Sequence, residues 1–283
     1  MLSEESLELI VQDHLAELEW QAGHGPDFAP GSGERDTWND IVLRGRLRNA
    51  VRNLNPDVPE EYLDQAIGEV ITPKSQSAIA ENRRIHQILV EGYRGIEYID
   101  HEGNVQNPTI YFLSSQPHKN DYLSLNQVTV ANLDGERRFD VVCYVNGMPL
   151  AFIELKKTGA NTSVEGAYNQ LQTYVKEFGM AFRFANIVIP SDDLNAKYGT
   201  PFTPWNHFAP WNVDEDGSPV DPNNMVVAGE PVTQLDLLLD GLFNVERFGQ
   251  LYSDFTAFDD TAEGLIMRIA KPHQYFAVTK AVG

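Results

Sequence analysis

A chain of 283 residues, 42% of them hydrophobic, can bury a core as one large domain or two modest ones. No apolar run approaches the ~18 residues of a membrane span, and Met1-Leu2-Ser3-Glu4-Glu5 lacks the basic-then-apolar order of a signal peptide, so a cytoplasmic protein is expected. The balance of 41 acidic against 21 basic residues, net −20, excludes a surface that grips nucleic acid broadly by neutralising phosphates, and the single cysteine, Cys143, excludes an internal disulfide or a multi-cysteine metal site.

In chain order, Leu7, Ile10, Val11, Leu15 and Leu18 recur at helical spacing behind Ser3, which predicts an amphipathic opening helix over residues 3–19 with Glu4 and Glu5 in its first turn. Residues 23–33 are dense in Gly, Pro and Asp and read as a loop. A helix carrying Arg44, Arg46, Arg48 and Arg52 follows over 41–53, and another over 59–71. From Gly95 the pattern turns to short strands at 95–99, 109–113 and 127–130, then a hairpin through residues 138–156. The spacing of Val164, Ala167, Tyr168, Leu171, Val175 and Phe178 predicts a crossover helix, and 185–190 a further strand. Strands, a crossover helix and a returning strand give an α/β (α+β) core, a mixed central sheet flanked by helices. Residues 199–234 hold six prolines with Trp205 and Trp211, an irregular excursion too aromatic for a plain linker and a candidate partner surface. Residues 235–251 and 262–270 read as helical, and a last helix is expected to run up to Gly283.

The hairpin carries the chemistry. Asp140, Glu154 and Lys156 stand among Val141, Val142, Val145, Phe152 and Ile153, and strand interiors seldom hold three charges. Two carboxylates and a lysine suit phosphodiester hydrolysis, because oxygen ligands hold Mg²⁺ while the ammonium orients water or offsets developing negative charge. Glu154 and Lys156, two apart on a strand, share a face. A regular two-residue turn at Asn146-Gly147 would set Asp140 opposite Ile153, on the wrong face, so the site requires an odd loop or a one-residue bulge. The charges alone would serve equally as surface ion pairs. Any DNA contact must be local, with Arg44, Arg46, Arg48, Arg52, Arg83-Arg84, Arg137-Arg138 and Lys156-Lys157 as candidate patches. The scattered histidines, among them His14, His86 and His118, read as surface or core residues rather than ligands.

These residues resemble the PD-(D/E)xK nuclease pattern, with Phe139 in place of the proline before Asp140. The closer resemblance, over nearly the whole chain, is to the N-terminal nuclease region of the restriction (motor) subunit of type I restriction-modification systems. It is carried by Arg138-x-Asp140, Val145-Asn146-Gly147-x-Pro149-Leu150, Ile153-Glu154-Leu155-Lys156-Lys157 and Gln170-x-x-x-Tyr174. The resemblance implies a PD-(D/E)xK core over about 80–195 within an endonuclease domain of 1–260, cleaving double-stranded DNA with Mg²⁺ on Asp140 and Glu154. Lys156 would be catalytic, and Gln170 and Tyr174, one helical turn apart, would position DNA or the lysine. A glutamate of the opening helix, Glu8 before Glu5, would hydrogen-bond or help ligate metal from across the site. Ile189-Pro190-Ser191-Asp192-Asp193 is similar to a segment of the family that follows the nuclease motifs. Residues 261–283 resemble the start of an ATP-driven translocase, with Gln274 as an adenine contact. No Gly-x-x-x-x-Gly-Lys-Ser/Thr loop occurs here, so ATP belongs to the full-length subunit only, and the chain reads as a fragment cut before the motor. Methyltransferase and specificity subunits would be its partners. The alternatives are a non-catalytic docking module between motor and methyltransferase, and a hydrolase of small phosphate esters.

Overall fold

The computed structural model describes residues 3–133, 135–157, 159, 163–192, 194–227 and 229–282; Asp193 and Gly283 lie outside the described residues. Helix α1 (Glu4–Glu17) begins where the Ser3 hydroxyl accepts from Ser6 N, and it buries Leu7, Val11 and Leu15. Strand β1 (Gln21–His24) follows, then helices α2 (Arg44–Leu54), α3 (Glu60–Ile71) and α4 (Ala78–Glu91). A small ladder, β2 (Tyr98–Ile99) with β3 (Val105–Gln106), precedes the long strands β4 (Tyr122–Asn132), β5 (Gly135–Val145) and β6 (Met148–Leu155). Helix α5 (Val164–Glu177), capped by Ser163, crosses to β7 (Ile187–Ser191). Beyond β8 (Val226–Val227) and β9 (Glu230–Pro231) lie α6 (Gln234–Phe243), α7 (Val245–Ser253), the hairpin of β10 (Thr256–Thr261) with β11 (Gly264–Ile269), and α8 (Pro272–Val282).

The sheet runs β1-β4-β5-β6-β7. Strands β4, β5 and β6 form an antiparallel meander, while β1 joins β4 and β7 joins β6 in parallel. This is the expected mixed sheet flanked by helices. One apolar layer packs α1, α2, α3, α4, α6 and α7 against Val141, Cys143, Val145, Ile153 and Leu155. The opposite layer packs α5 through Leu171, Tyr174 and Phe178 against Leu123, Leu125, Val142, Tyr144 and Phe152. Cys143 is fully buried, and burial pushes its thiol far above the usual range. Among the described residues no helix is long and apolar enough to cross a membrane.

Several elements differ from the sequence reading. Residues 95–99 and 109–113 contribute only the Tyr98–Ile99 strand and a bridge from Ile110 to Tyr93. Residues 262–270 are a strand rather than a helix, because Met267 and Ile269 face inward around an exposed Arg268 and β10 supplies the partner. The stretch 235–251 is two helices, broken at Asn244, whose side chain accepts from Glu246 N and Arg247 N. The sequence reading does not contain α4, the short strands β3, β8, β9 and β10, or β1, which lies partly in the glycine-rich segment read as loop. Trp211 in the 199–234 excursion is fully buried, as is Tyr198 just before it, and Trp211 packs on Tyr275 and Phe276 of α8.

Candidate active site

The Asn146-Gly147 turn fixes the start of the register. Both residues have positive φ, 51° and 78°, the pattern of a two-residue hairpin turn. Asn146 locks it: its amide donates to Phe112 O at 2.9 Å and its carbonyl accepts from Asp121 N at 2.7 Å. A Cβ at Gly147 would strike Leu43 O and come within 2.8 Å of Leu47 N, so the turn is pressed against the start of α2. From there Val145 pairs with Met148 and Tyr144 with Pro149, but Cys143 pairs with Ala151. Leu150 is the extra residue of a bulge. The following pairs, Val142 with Phe152 and Val141 with Ile153, then carry Asp140 opposite Glu154. This is the irregularity that a site of these residues requires.

A second irregularity sits on the other side of Asp140. Leu123 and Leu125 of β4 face the α5 layer, and so do Val128 and Val130, so the alternation reverses between them. Gln127 lies at the reversal with φ 53°. Strand β5 reverses at the same level: Val142 and Tyr144 face the α5 layer, and so does Phe139. Asn126 pairs with Val141 and Val128 with Phe139, whereas Gln127 and Asp140 between them form no ladder pair. The sheet kinks there. A left-handed conformation at a non-glycine residue costs about 1–2 kcal/mol.

Asp140 and Glu154 meet at this end of the sheet with Lys156. Leu155 N donates to Asp140 Oδ2 at 2.8 Å, and Lys156 Nζ donates to Glu154 Oε1 at 2.8 Å. Strand β7 supports the lysine, whose backbone N donates to Ser191 O at 2.9 Å. Burial raises the pKa of Glu154 to about 8, helped by the charge of Asp140 and opposed by Lys156. Asp140 is raised too, by burial, against the Leu155 hydrogen bond and Lys156. Burial alone would lower Lys156, but Glu154 and Asp140 outweigh it and raise its pKa.

Helices complete the surroundings from both sides. Glu8 of α1, only 2% exposed, accepts from Asn126 Nδ2 at 3.3 Å; burial raises its pKa, Gln127 opposes by hydrogen bonding, and Asp140 adds to the rise. Glu5 is exposed and adds to the rise at Glu8, whereas Glu4, one turn before Glu8, acts on Asp140, Glu154 and Lys156. On α5, Gln170 Nε2 donates to Tyr174 OH, and the tyrosine is raised by burial and by the charge of Glu154. Gln274 stands apart on α8, where its side chain accepts from Lys271 N at 2.8 Å. The sequence reading missed Asn126 and Gln127 as site residues. Glu4 was legible as a site residue through its i, i+4 spacing to Glu8.

The donor set fits a hard cation. Asp140 and Glu154 each keep one carboxylate oxygen without a hydrogen-bond partner among the described residues, and their repulsion is what a divalent ion would relieve. Among those residues no group of three or more His, Cys, Asp or Glu side chains forms a closed metal cage. An ion here would keep water or phosphate oxygens on its open positions, which is the habit of Mg²⁺. Most of the basic patches are internally neutralised. Arg44 pairs with Asp40, Arg46 with Asp121, Arg48 with Asp64, Arg52 with Glu60, Arg83 with Asp260, Arg84 with Glu81 and Arg137 with Glu177. Arg138 has no ion-pair partner among the described residues, and it lowers the pKa of both Glu8 and Asp140.

Residues 1–207 match the family model described as type I restriction enzyme R protein N terminus. The chain is 28% identical, over 95% of its length, to the putative type I restriction enzyme MjaIXP endonuclease subunit of Methanocaldococcus jannaschii. It is 29% identical, over 100% of its length, to the type I restriction enzyme HindI endonuclease subunit of Haemophilus influenzae. In both cases it spans 26% of the relative. The type I restriction enzyme EcoprrI endonuclease subunit of Escherichia coli is 26% identical over 56% of this chain and 50% of that protein.

Proposed function

The chain belongs to the family of type I restriction enzyme R protein N-termini, and from that premise we propose that it is an Mg²⁺-dependent endonuclease domain acting on double-stranded DNA. The observation that carries the proposal is the convergence of Asp140, Glu154 and Lys156 at the kinked end of the sheet.

Asp140 and Glu154 would hold the Mg²⁺ through their free oxygens. Bound there, the ion would supply charge stabilisation at the scissile phosphate and a more acidic water. Leu155 N holds the Asp140 carboxylate against the strand end, so that its other oxygen is aimed with little freedom. Lys156, held between Glu154 and the β7 edge, presents an ammonium that orients a water or offsets charge on the phosphate oxygens. Gln170 fixes the Tyr174 hydroxyl on the α5 side of the site, and the pair bounds the space that a DNA backbone would enter. Recognition of sequence and most of the grip on DNA would come from the other subunits and the motor, with ATP consumed there. A net charge of −20, with most arginines neutralised internally, accords with a nuclease that is delivered to its substrate.

The test is plasmid cleavage by the 283-residue chain and by a longer one carrying motor and partner subunits, with Mg²⁺ and with chelator. Cutting that needs Mg²⁺ and is lost in Lys156→Ala supports the reading. A Lys156→Ala protein that cuts as well as wild type, in either setting, overturns it.

A further inference from the structure

We infer that Gln127 is a positioning residue for this site, its left-handed backbone turning two successive strand side chains onto the carboxylate of Glu8 and so holding Glu8 beside Asp140. The inference rests on the nuclease reading above and deepens it.

Neighbouring residues of a strand point to opposite faces, so Asn126 and Gln127 would not ordinarily reach one acceptor. Asn126 Nδ2 donates to Glu8 Oε2 at 3.3 Å, and since Leu125 and Val128 both face the α5 layer, Gln127 between them is turned to the same side as Asn126, where it lowers the pKa of Glu8. The orientation of Asn126 is fixed from behind, because its Oδ1 faces His24 Nδ1 at 2.9 Å. The two amides come to one side at Gln127, whose φ of 53° marks the point where β4 reverses its faces.

That conformation is out of place for a glutamine. The other non-glycine residues of positive φ among those described are Glu19, just past the end of α1, and Asn146, in a turn that favours it. Gln127 alone stands within a strand. The fold accommodates it from outside as well, since a Cβ on Gly25 would lie 2.5 Å from Asn126 O and 2.6 Å from Gln127 O. Where only the kink mattered, glycine would satisfy the backbone better. A glutamine there means that the amide is used. Its partner, Glu8, is buried within range of the Asp140 charge, so losing the amide would free the glutamate to rotate away from the site.

The substitution that separates the roles is Gln127→Gly, which keeps the left-handed backbone and removes the amide. The melting temperature is expected to stay level or rise, while Mg²⁺-dependent cleavage by the full chain falls about tenfold or more. In a Glu8→Gln background the same change should cost less than twofold, because its target is already altered. Undiminished cleavage by Gln127→Gly overturns the inference. So does a loss of cleavage that only tracks a lower melting temperature, or a loss fully additive to that of Glu8→Gln. A second arm needs no turnover: the side-chain NH₂ resonances of Gln127, followed by NMR without metal, should shift in Glu8→Gln and stay put in Glu5→Gln. If wild type fails to cleave in any setting the nuclease reading falls, yet the NMR arm still decides whether Gln127 holds Glu8. No shift in Glu8→Gln would overturn it.

Discussion

Helix α1 enters two clusters of charge less than two turns apart. Through Glu8 it acts on Asp140 and through Glu4 on both Asp140 and Glu154, whose carboxyls burial drives upward, Glu154 to about 8. At His14 it meets Asp236 and Asp240 of α6, and here the opposite holds: the imidazole is raised to about 9 and Asp236 is lowered. Each cluster has more carboxylates than cations, so counting does not separate them. Burial does. The Asp236 and Asp240 side chains are 35% and 50% exposed, so water shares the excess charge, whereas Glu8 and Glu154 are 2% and 1% exposed. The first cluster holds a charge imbalance that a cation would relieve, and the second is a clamp between helices.

The largest effect that could break this contrast is on chemistry. Lys156→Ala and Asp140→Asn are each expected to lower Mg²⁺-dependent cleavage by about a thousandfold, as the loss of one well-aimed group in a dry site does. Neither should unfold the chain. A plasmid-nicking time course beside a thermal melt reads both, and an active Asp140→Asn protein would place the metal elsewhere.

Next in size is a stability effect of opposite sign. Glu154 titrates near 8 in the fold against an ordinary carboxyl range when unfolded, so it favours folding below about pH 4.5 and loses that contribution as the pH rises through 8. Gln resembles the protonated form and still offers an oxygen to Lys156. Without metal, Glu154→Gln should therefore melt higher than wild type by about 2–4 °C at pH 8.5 and about equally at pH 5, while cleavage is lost. A protein destabilised at both pH values would mean that the carboxylate supports the fold, and the contrast with the clamp would disappear.

How far the sequence revealed this arrangement depends on the range over which each residue acts. The bulge could be anticipated because Asn146-Gly147 sets the register locally, and a one-residue slip moves Asp140 from one face to the other. Glu154 and Lys156 follow from strand alternation alone. Gln127 could not be anticipated, since glutamine has no preference for positive φ and its reason is a glutamate 119 positions earlier on another element. The neutralised arginines were equally hidden: Arg46 meets Asp121 and Arg83 meets Asp260 only after folding. In β11 the run Leu265, Ile266, Met267, Ile269 fits helix and strand alike until a partner strand decides it. Strand β1 was hidden by Gly23 and Gly25, read as loop residues. Yet a Cβ at Gly25 would meet the β4 backbone, a need that only the folded arrangement reveals.

The smallest effect tests the clamp. His14 Nε2 lies 2.7 Å from Asp240 Oδ1 and Nδ1 lies 3.6 Å from Asp236 Oδ1, and these partners outweigh a burial that alone would lower the imidazole. A pKa raised from 6.5 to about 9 means that the ion pair contributes fully below pH 6.5 and is lost as pH climbs through 9. The shift alone would correspond to roughly 3 kcal/mol, but the half-exposed Asp240 is screened by water, which leaves about 1–2 kcal/mol, or about 2–3 °C for a chain of this size. His14→Ala is therefore expected to lower the melting temperature by that amount at pH 6 and to lose the charge-dependent part of the deficit at pH 10. Moderate salt should shrink the deficit at pH 6. Cleavage at a temperature well below the melt should be little changed, because the site end of α1 is held independently through Asn126 and Gln127. A His14→Ala protein that folds normally but cleaves tenfold more slowly would show that the clamp sets the position of Glu8, and the two clusters would then act as one.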